Sequence, residues 1–331
     1  MIRSNGRRLV VAVLRWFDAD YSNSEIVTNE RKSNGIDWIR CLPFLALHLA
    51  CLGVFWVGWS WTALLLASGL YCLRMFAITA FYHRYFSHRT FRTSRWAQFV
   101  FAILGASSAQ RGPLWWAAKH RNHHRDSDTA ADPHSPIRYG FWWSHAGWFM
   151  SARHFATDYR RIQDFARFPE LVWLNRFDIV APVALTAALY LCGWWLEHTA
   201  PSLGVTGLQL VVWGFFISTT ALFHGTSTIN SLAHLIGRRR YDTGDDSRNN
   251  FFLALITLGE GWHNNHHKYM SCTRQGFYWW EIDLTYYVLK LLHWTGLIWD
   301  LRAVPLEAYD RVRQLPSASS ARVDWSGRSN A

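Results

Sequence analysis

Two short stretches of this 331-residue chain repeat one spacing of histidines, His120-Arg121-Asn122-His123-His124 and His263-Asn264-Asn265-His266-His267. Positions i, i+3 and i+4 share one side of an α-helix, so each stretch is predicted to aim three imidazoles at one point. Neutral imidazole is the commonest metal ligand, and nitrogen donors suit iron, zinc and copper. A third cluster, His83-Arg84-Tyr85-Phe86-Ser87-His88, spaces its histidines by five. That offset does not share a face on a regular helix, which predicts that one of the pair lies beyond a helix end. His234 stands apart, in Asn230-Ser231-Leu232-Ala233-His234. One tetrahedral zinc takes four ligands, whereas eight or nine histidines suit two metals. A structural zinc site is usually closed and cysteine-rich, and this set has no cysteine in it. His48, His198 and His293 are isolated and are read as ordinary core or surface residues.

A neutral shell of nitrogen leaves two divalent metals with uncompensated charge and an affinity for oxygen ligands. Iron is the metal expected, because redox-inert zinc activates a water without needing a partner ion. Metal-bound histidines are commonly oriented through the second ring nitrogen. Asp128, Asp132, Asp245 and Glu260 lie close enough in sequence to supply that contact. Asn230, one helical turn before His234, is placed to hold a metal-bound water.

The elements that must position these residues are set by charge. Cys41 to Leu73 holds no Asp, Glu, Lys or Arg, and Ile179 to Gly237 holds only Glu197. About 18 apolar residues suffice for one membrane crossing, so each block accommodates two. The expected fold is an all-α integral membrane protein with four spans, at about 38–57, 60–82, 174–195 and 206–230. These form two hairpins beneath a cytoplasmic helical cap that holds the metals. Arg3, Arg7, Arg8, Arg15, Arg31, Lys32 and Arg40 precede the first block, and fourteen Lys and Arg lie between Arg84 and Arg176. The hairpin tips carry none. The positive-inside rule then puts both termini and all histidine clusters in the cytoplasm. Residues 1–36 form a basic N-terminal segment, with an interfacial helix around Leu9–Leu14. Residues 37–305 make the membrane domain, and residues 306–331 a Ser- and Arg-rich tail expected to be disordered.

The five cysteines include no C-x-x-C pair, which excludes a zinc ribbon and suggests no disulfide framework. The net charge of +11 follows the positive-inside bias and serves anionic headgroups. No soluble basic fold is visible that would bind nucleic acid.

The full pattern is His83-x4-His88, His120-x2-His123-His124, His263-x2-His266-His267 and Asn230-x3-His234. Together with Asp132-Pro133-His134, Ser144-His145-x-Gly147-Trp148 and Gly259-Glu260-Gly261-Trp262, it resembles the integral-membrane acyl-CoA desaturases of the stearoyl-CoA (Δ9) type. The resemblance covers roughly residues 37–300 and is to the bacterial type, which implies an inner-membrane location. It implies two irons bound by nine histidines and O2 as oxidant. It implies a long-chain acyl-CoA or acyl-lipid substrate and a cis double bond at C9–C10. No fused cytochrome b5 motif occurs, so electrons are expected from a separate ferredoxin, rubredoxin or cytochrome b5. The resemblance also implies a bent substrate tunnel, with Gln110, Trp116 and Thr226 at the bend; Ser227 stands where the family often has Trp. Tyr71 lies twelve residues before His83, about 18 Å away by helical rise. Tyr71 or Met75 is therefore expected to close the tunnel and limit acyl length. The alternatives are a di-iron fatty acid or alkane hydroxylase and, outside enzymes, a membrane metal carrier or sensor.

Overall fold

The computed structural model describes residues 2–21 and 35–310. Four helices are long and apolar enough to cross a membrane, Trp38–Val57, Trp61–Ser87, Val180–Thr199 and Gly207–Ser231. At 1.5 Å per residue, twenty residues extend about 30 Å, the thickness of a hydrocarbon core. Three of the four begin at a capping side chain. Asp37 accepts from Arg40 N, Ser60 from Ala63 N and Thr206 from Gln209 N. Each cap satisfies one of the free amides at a helix start.

Three of the expected boundaries shift by four or more residues, one of them the end of the third span, which lies at Thr199 rather than near 195. The second span runs five residues further than expected, because Ala77–Ser87 is wound as a π-helix before it stops at His88. The third span starts at Val180 rather than near 174. Residues 174–176 belong instead to a separate helix, Pro169–Arg176. The break between them presents Asp178 to Arg111, whose Nε lies 2.9 Å from the carboxylate.

The fourth span touches the other three. Thr220 lies 3.3 Å from Cys51 Sγ of the first span, and a third-span residue, Leu189, packs against Gly214. From the second span, Arg74 donates to Ser218 Oγ and Thr219 Oγ1 at 2.6 Å each, and to Gly214 O at 3.3 Å. Its remaining bonds go to Leu70 O and Ser107 O. Arg74 is 1 % exposed, so this arginine joins the second span, the fourth and the helix Arg95–Ala106 through neutral oxygens.

Several further helices pack against the π-wound part of the second span, Ala77–Ser87. Helix Arg95–Ala106 lies against the π-wound part of the second span, where Phe81 stacks on Phe101 at 3.8 Å. Helix Pro113–Asp126 carries the first histidine stretch and buries Leu114, Ala117 and Ala118 in the same core. The short helices Phe251–Ile256 and His263–Lys268 follow the fourth span, and Leu284–Trp294 completes the layer. Among the described residues, β-structure is confined to a two-residue antiparallel pair, Arg92–Thr93 against Ile298–Trp299, and isolated bridges such as Arg238 with Asn249 and Asn249 with Trp262.

At the N-terminus, helix Ile2–Phe17 buries Val11 and Ala12 and exposes Leu9, Val10, Leu14 and Phe17, and Trp16 Nε1 donates to Ile39 O. The C-terminal segment expected to be disordered begins instead with a helix, Glu307–Asp310, and buried Ala308 accepts from the Tyr241 hydroxyl. Residues 22–34 and 311–331, on which the rest of the terminal expectations fall, lie outside the described residues.

Candidate metal centre

All nine expected histidines come together, but in two groups rather than one per sequence stretch. His83, His88, His120, His124 and His266 form one set, and His123, His234, His263 and His267 the other. Within each set the nearest nitrogens lie within 4.8 Å of one another. Each H-x-x-H-H stretch is thus divided, which corrects the expectation that three rings share one point. The reason is angular. At about 100° per residue, i and i+4 are about 40° apart, while i+3 and i+4 diverge by a full 100°. His120 and His124 therefore face one set and His123 the other, and His263 and His267 face the second while His266 crosses to the first.

The five-histidine set meets nitrogen to nitrogen. His83 Nε2 is 2.9 Å from His266 Nε2, which is 2.8 Å from His124 Nε2. His120 Nε2 lies 2.9 Å from both His124 Nε2 and His88 Nε2. In the other set His234 Nε2 is 3.1 Å from His263 Nε2, and His267 Nε2 is buried with no hydrogen-bond partner. His88 follows the end of the π-helix, as its spacing from His83 predicts, and its amide donates to His83 O.

Carboxylates decide which ring nitrogens face inward. Nδ1 of His83 lies 2.5 Å from Glu260, that of His123 3.0 Å from Asp132, that of His234 2.8 Å from Asp128, and that of His267 2.6 Å from Asp245. A carboxylate only accepts, so each Nδ1 carries the proton and each Nε2 presents a lone pair. All four acidic residues singled out in the sequence fill this role. Lone pairs facing at about 3 Å repel unless a cation sits among them. Both sets therefore fit metal ions, with the orphaned Nε2 of His267 as the plainest sign.

The electrostatics agree. Burial, reinforced by neighbouring imidazoles, holds His88, His120, His124, His263 and His266 well below the ordinary histidine range. Burial also lowers His267, to about 4, against the upward pull of Asp245. His123 is the exception. Burial lowers it, but the Asp132 charge and hydrogen bond prevail and raise it. Burial alone would raise the partner acids, yet their histidines hold Asp132, Asp245 and Glu260 low and Asp128 at about 2. Apart from His123, these are neutral imidazoles with ionised partners, which is what a metal site requires.

Several residues of the site went unread in the sequence. Arg84 is fully buried between Asp283 at 2.9 Å and Glu260 at 3.1 Å, and donates to Thr273 O. It thus fixes the carboxylate that orients His83. Gln275 Nε2 reaches Glu260 at 3.2 Å and lies 3.4 Å from Nδ1 of both His83 and His266. Helix His263–Lys268 has no side-chain cap of its own. Asn249 Oδ1 supplies one from outside, accepting from Asn264 N at 3.0 Å and Asn265 N at 3.1 Å. The available signal was Arg84 itself, a cation set in an apolar helix end, which must find a counter-charge when buried.

The residues expected around a substrate lie as follows. Trp116 stacks on His120 at 5.1 Å, and Gln110 Nε2 donates to Thr226 Oγ1 at 3.0 Å. Tyr71 donates to Ile256 O at 2.7 Å, and Met75 is buried. A Cβ on Gly225 would lie 2.7 Å from the Tyr71 hydroxyl and 2.9 Å from Met75 Cε, so glycine is what lets both approach the fourth span. Asn230 is half-buried one turn before His234.

The fatty acid desaturase family model matches residues 59–299, which include every histidine of both sets. The chain belongs to the fatty acid desaturase family. Among its relatives, the sn-1 stearoyl-lipid 9-desaturase of Anabaena variabilis is 38% identical over 79% of this chain and 92% of its own. The acyl-CoA 5-desaturase of Anemone leveillei is 36% identical over 86% of this chain and 85% of its own. The sn-1 stearoyl-lipid 9-desaturase of a Synechocystis strain is 35% identical over 92% of each. Membership makes this desaturase a membrane-bound oxidoreductase of fatty acyl chains, with histidine clusters able to hold metal.

Proposed function

We propose that this desaturase introduces a cis double bond between C9 and C10 of a saturated long-chain acyl group, with coenzyme A as the carrier. A second reading, a glycerolipid-bound acyl chain, draws support from the Anabaena and Synechocystis relatives, both named as stearoyl-lipid 9-desaturases. The observation that carries the reaction is the pair of histidine sets with inward-facing Nε2 atoms. The five- and four-histidine sets would each hold one iron, with Asn230 contributing through a water. The chemistry supplied by the iron pair, when bound, is activation of O2 for removal of hydrogen from two adjacent methylenes. One O2 is reduced to two waters, so two electrons and two protons must arrive besides the two substrate hydrogens. A separate ferredoxin, rubredoxin or cytochrome b5 brings the electrons to the basic face, which the Lys and Arg distribution assigns to the cytoplasm together with both termini.

The chain's own residues have three tasks in this reaction. Asp128, Asp132, Asp245 and Glu260 hold imidazole protons on the outer nitrogens. Trp116, against His120, and the Gln110–Thr226 hydrogen bond form the bend that presents one methylene pair. Tyr71 and Met75, packed over Gly225, close the far end and set acyl length.

The test is expression in a desaturase-deficient host, with lipid mass spectrometry and double-bond localisation. A new Δ9 monoene that disappears in His123→Ala and His266→Ala supports the reading; retained activity in both variants overturns the site. A product heavier by one oxygen identifies a hydroxylase instead. In the same assay Tyr71→Ala extends the range of accepted chain lengths, and an unchanged preference discards that role.

A further inference from the structure

Three further imidazoles meet outside the two sets, His48 of the first span, His224 of the fourth and His145 of the turn Trp143–Gly147. Their protons can be assigned from the two ends of the chain they form. His48 Nδ1 lies 2.8 Å from Phe44 O. A carbonyl only accepts, so Nδ1 carries the proton and Nε2 of neutral His48 is a lone pair. At the other end, Ser231 Oγ donates its single proton to Ser227 O at 2.8 Å. His145 Nδ1, 2.9 Å from Ser231 Oγ, must then be the donor of that bond. Neutral His145 is left with a lone pair at Nε2, which accepts from His224 Nδ1 at 3.0 Å. His224 Nε2 is therefore also a lone pair, and it faces His48 Nε2 at 3.2 Å.

Two hydrogen-bond chains anchored on backbone carbonyls thus drive two lone pairs together. The same signature marks the main centre, where carboxylates do the anchoring. We propose that His48 and His224 form a third metal site, separate from the catalytic pair, that takes a divalent ion of the zinc type. Zinc–nitrogen bonds of about 2.0–2.1 Å at a tetrahedral angle place two nitrogens roughly 3.3–3.4 Å apart, close to the separation here. Both rings are oriented through Nδ1, by a carbonyl and by His145, as metal-bound histidines usually are. His224 is exposed and His48 half-buried within the first and fourth spans, so the pair opens toward the bilayer and water would have to accompany the ion to complete its shell. Bound there, it would clamp the first span to the fourth, while His145 ties His224 to the turn Trp143–Gly147. The site stands apart from the catalytic reading and does not depend on it.

The experiment is equilibrium dialysis of the purified full-length protein against Zn2+, with bound zinc counted by mass spectrometry. It compares the wild type with His48→Gln and His224→Leu. All three keep both main histidine sets, so the difference between them does not depend on what fills the main centre. The site predicts the loss of one zinc per chain in each variant and, with Co2+, weaker tetrahedral visible absorption in both variants than in the wild type. His145→Gln, which keeps both ligands, should weaken this zinc at least about tenfold. If either variant fails to fold, the other and His145→Gln still give the comparison. Equal zinc counts and Co2+ spectra in all folded proteins overturn the proposal and leave a shared proton between the two rings.

Discussion

An imidazole binds a metal only through a nitrogen that carries no proton, and at His83 the Glu260 carboxylate makes that choice from 2.5 Å. Replacing Glu260 by Gln removes the charge and lets the amide offer either a donor or an acceptor. His83 then loses its fixed tautomer, and Arg84 loses one of its two acids. The expected result is iron affinity reduced about 10- to 100-fold, read as iron per chain after dialysis against a chelator. Asp245→Asn should act similarly through His267 and deplete the four-histidine set first. Iron retention equal to wild type in both variants would show that the acids solvate the rings without holding them. Asp128, Asp132 and Glu260 were legible in the sequence because each lies within eight residues of a histidine cluster, and Asp245 because it falls between His234 and the last cluster. Arg84 and Gln275 were not, since the contacts that give them meaning span 176 and 192 residues.

At the scale of elements, ligand geometry depends on where short helices begin and how closely backbones approach. Gly261 precedes the second histidine stretch, and a Cβ there would fall 2.1 Å from Ala254 N and 2.4 Å from Asn250 O. These are backbone atoms that cannot step aside. Gly261→Ala should displace helix His263–Lys268 and abolish metal retention even though no ligand is changed. Tight iron binding in that variant would contradict the proposed role of this packing. Arg74 is the corresponding joint within the spans. Arg74→Leu removes five hydrogen bonds among the second span, the fourth span and Ser107. The expected loss is on the order of 2 kcal/mol, since neighbouring groups in a membrane protein find substitute partners. A lowered melting temperature in detergent, with iron content initially retained, is the outcome to look for. The spans were legible because a water-soluble core has no need of charge-free runs that long, whereas a bilayer demands them. Their ends were less so: composition does not register a π-helix at Ala77–Ser87, or the Arg111–Asp178 pair that delays the third span to Val180.

For the molecule as a whole, the two metal sets draw ligands from the second span, the fourth span's exit and both histidine-bearing helices. Removing metal should therefore loosen the whole assembly. A ligand held only by the folded state stabilises by RT ln(1 + [L]/Kd), about 4 kcal/mol at a thousandfold excess over Kd. Chelation should lower the melting temperature by several degrees, and Fe2+ should restore it. A sequence pattern was enough to nominate nine histidines, because three clusters and His234 together exceed what one ion can use. It could not show the five-and-four partition, which depends on helix phase and on which neighbour each face meets. Anomalous diffraction at the iron edge tests that partition most directly. Two iron peaks are predicted, one among His83, His88, His120, His124 and His266, the other among His123, His234, His263 and His267. A single peak, or scattering that appears only at the zinc edge, would contradict the assignment of one iron to each set.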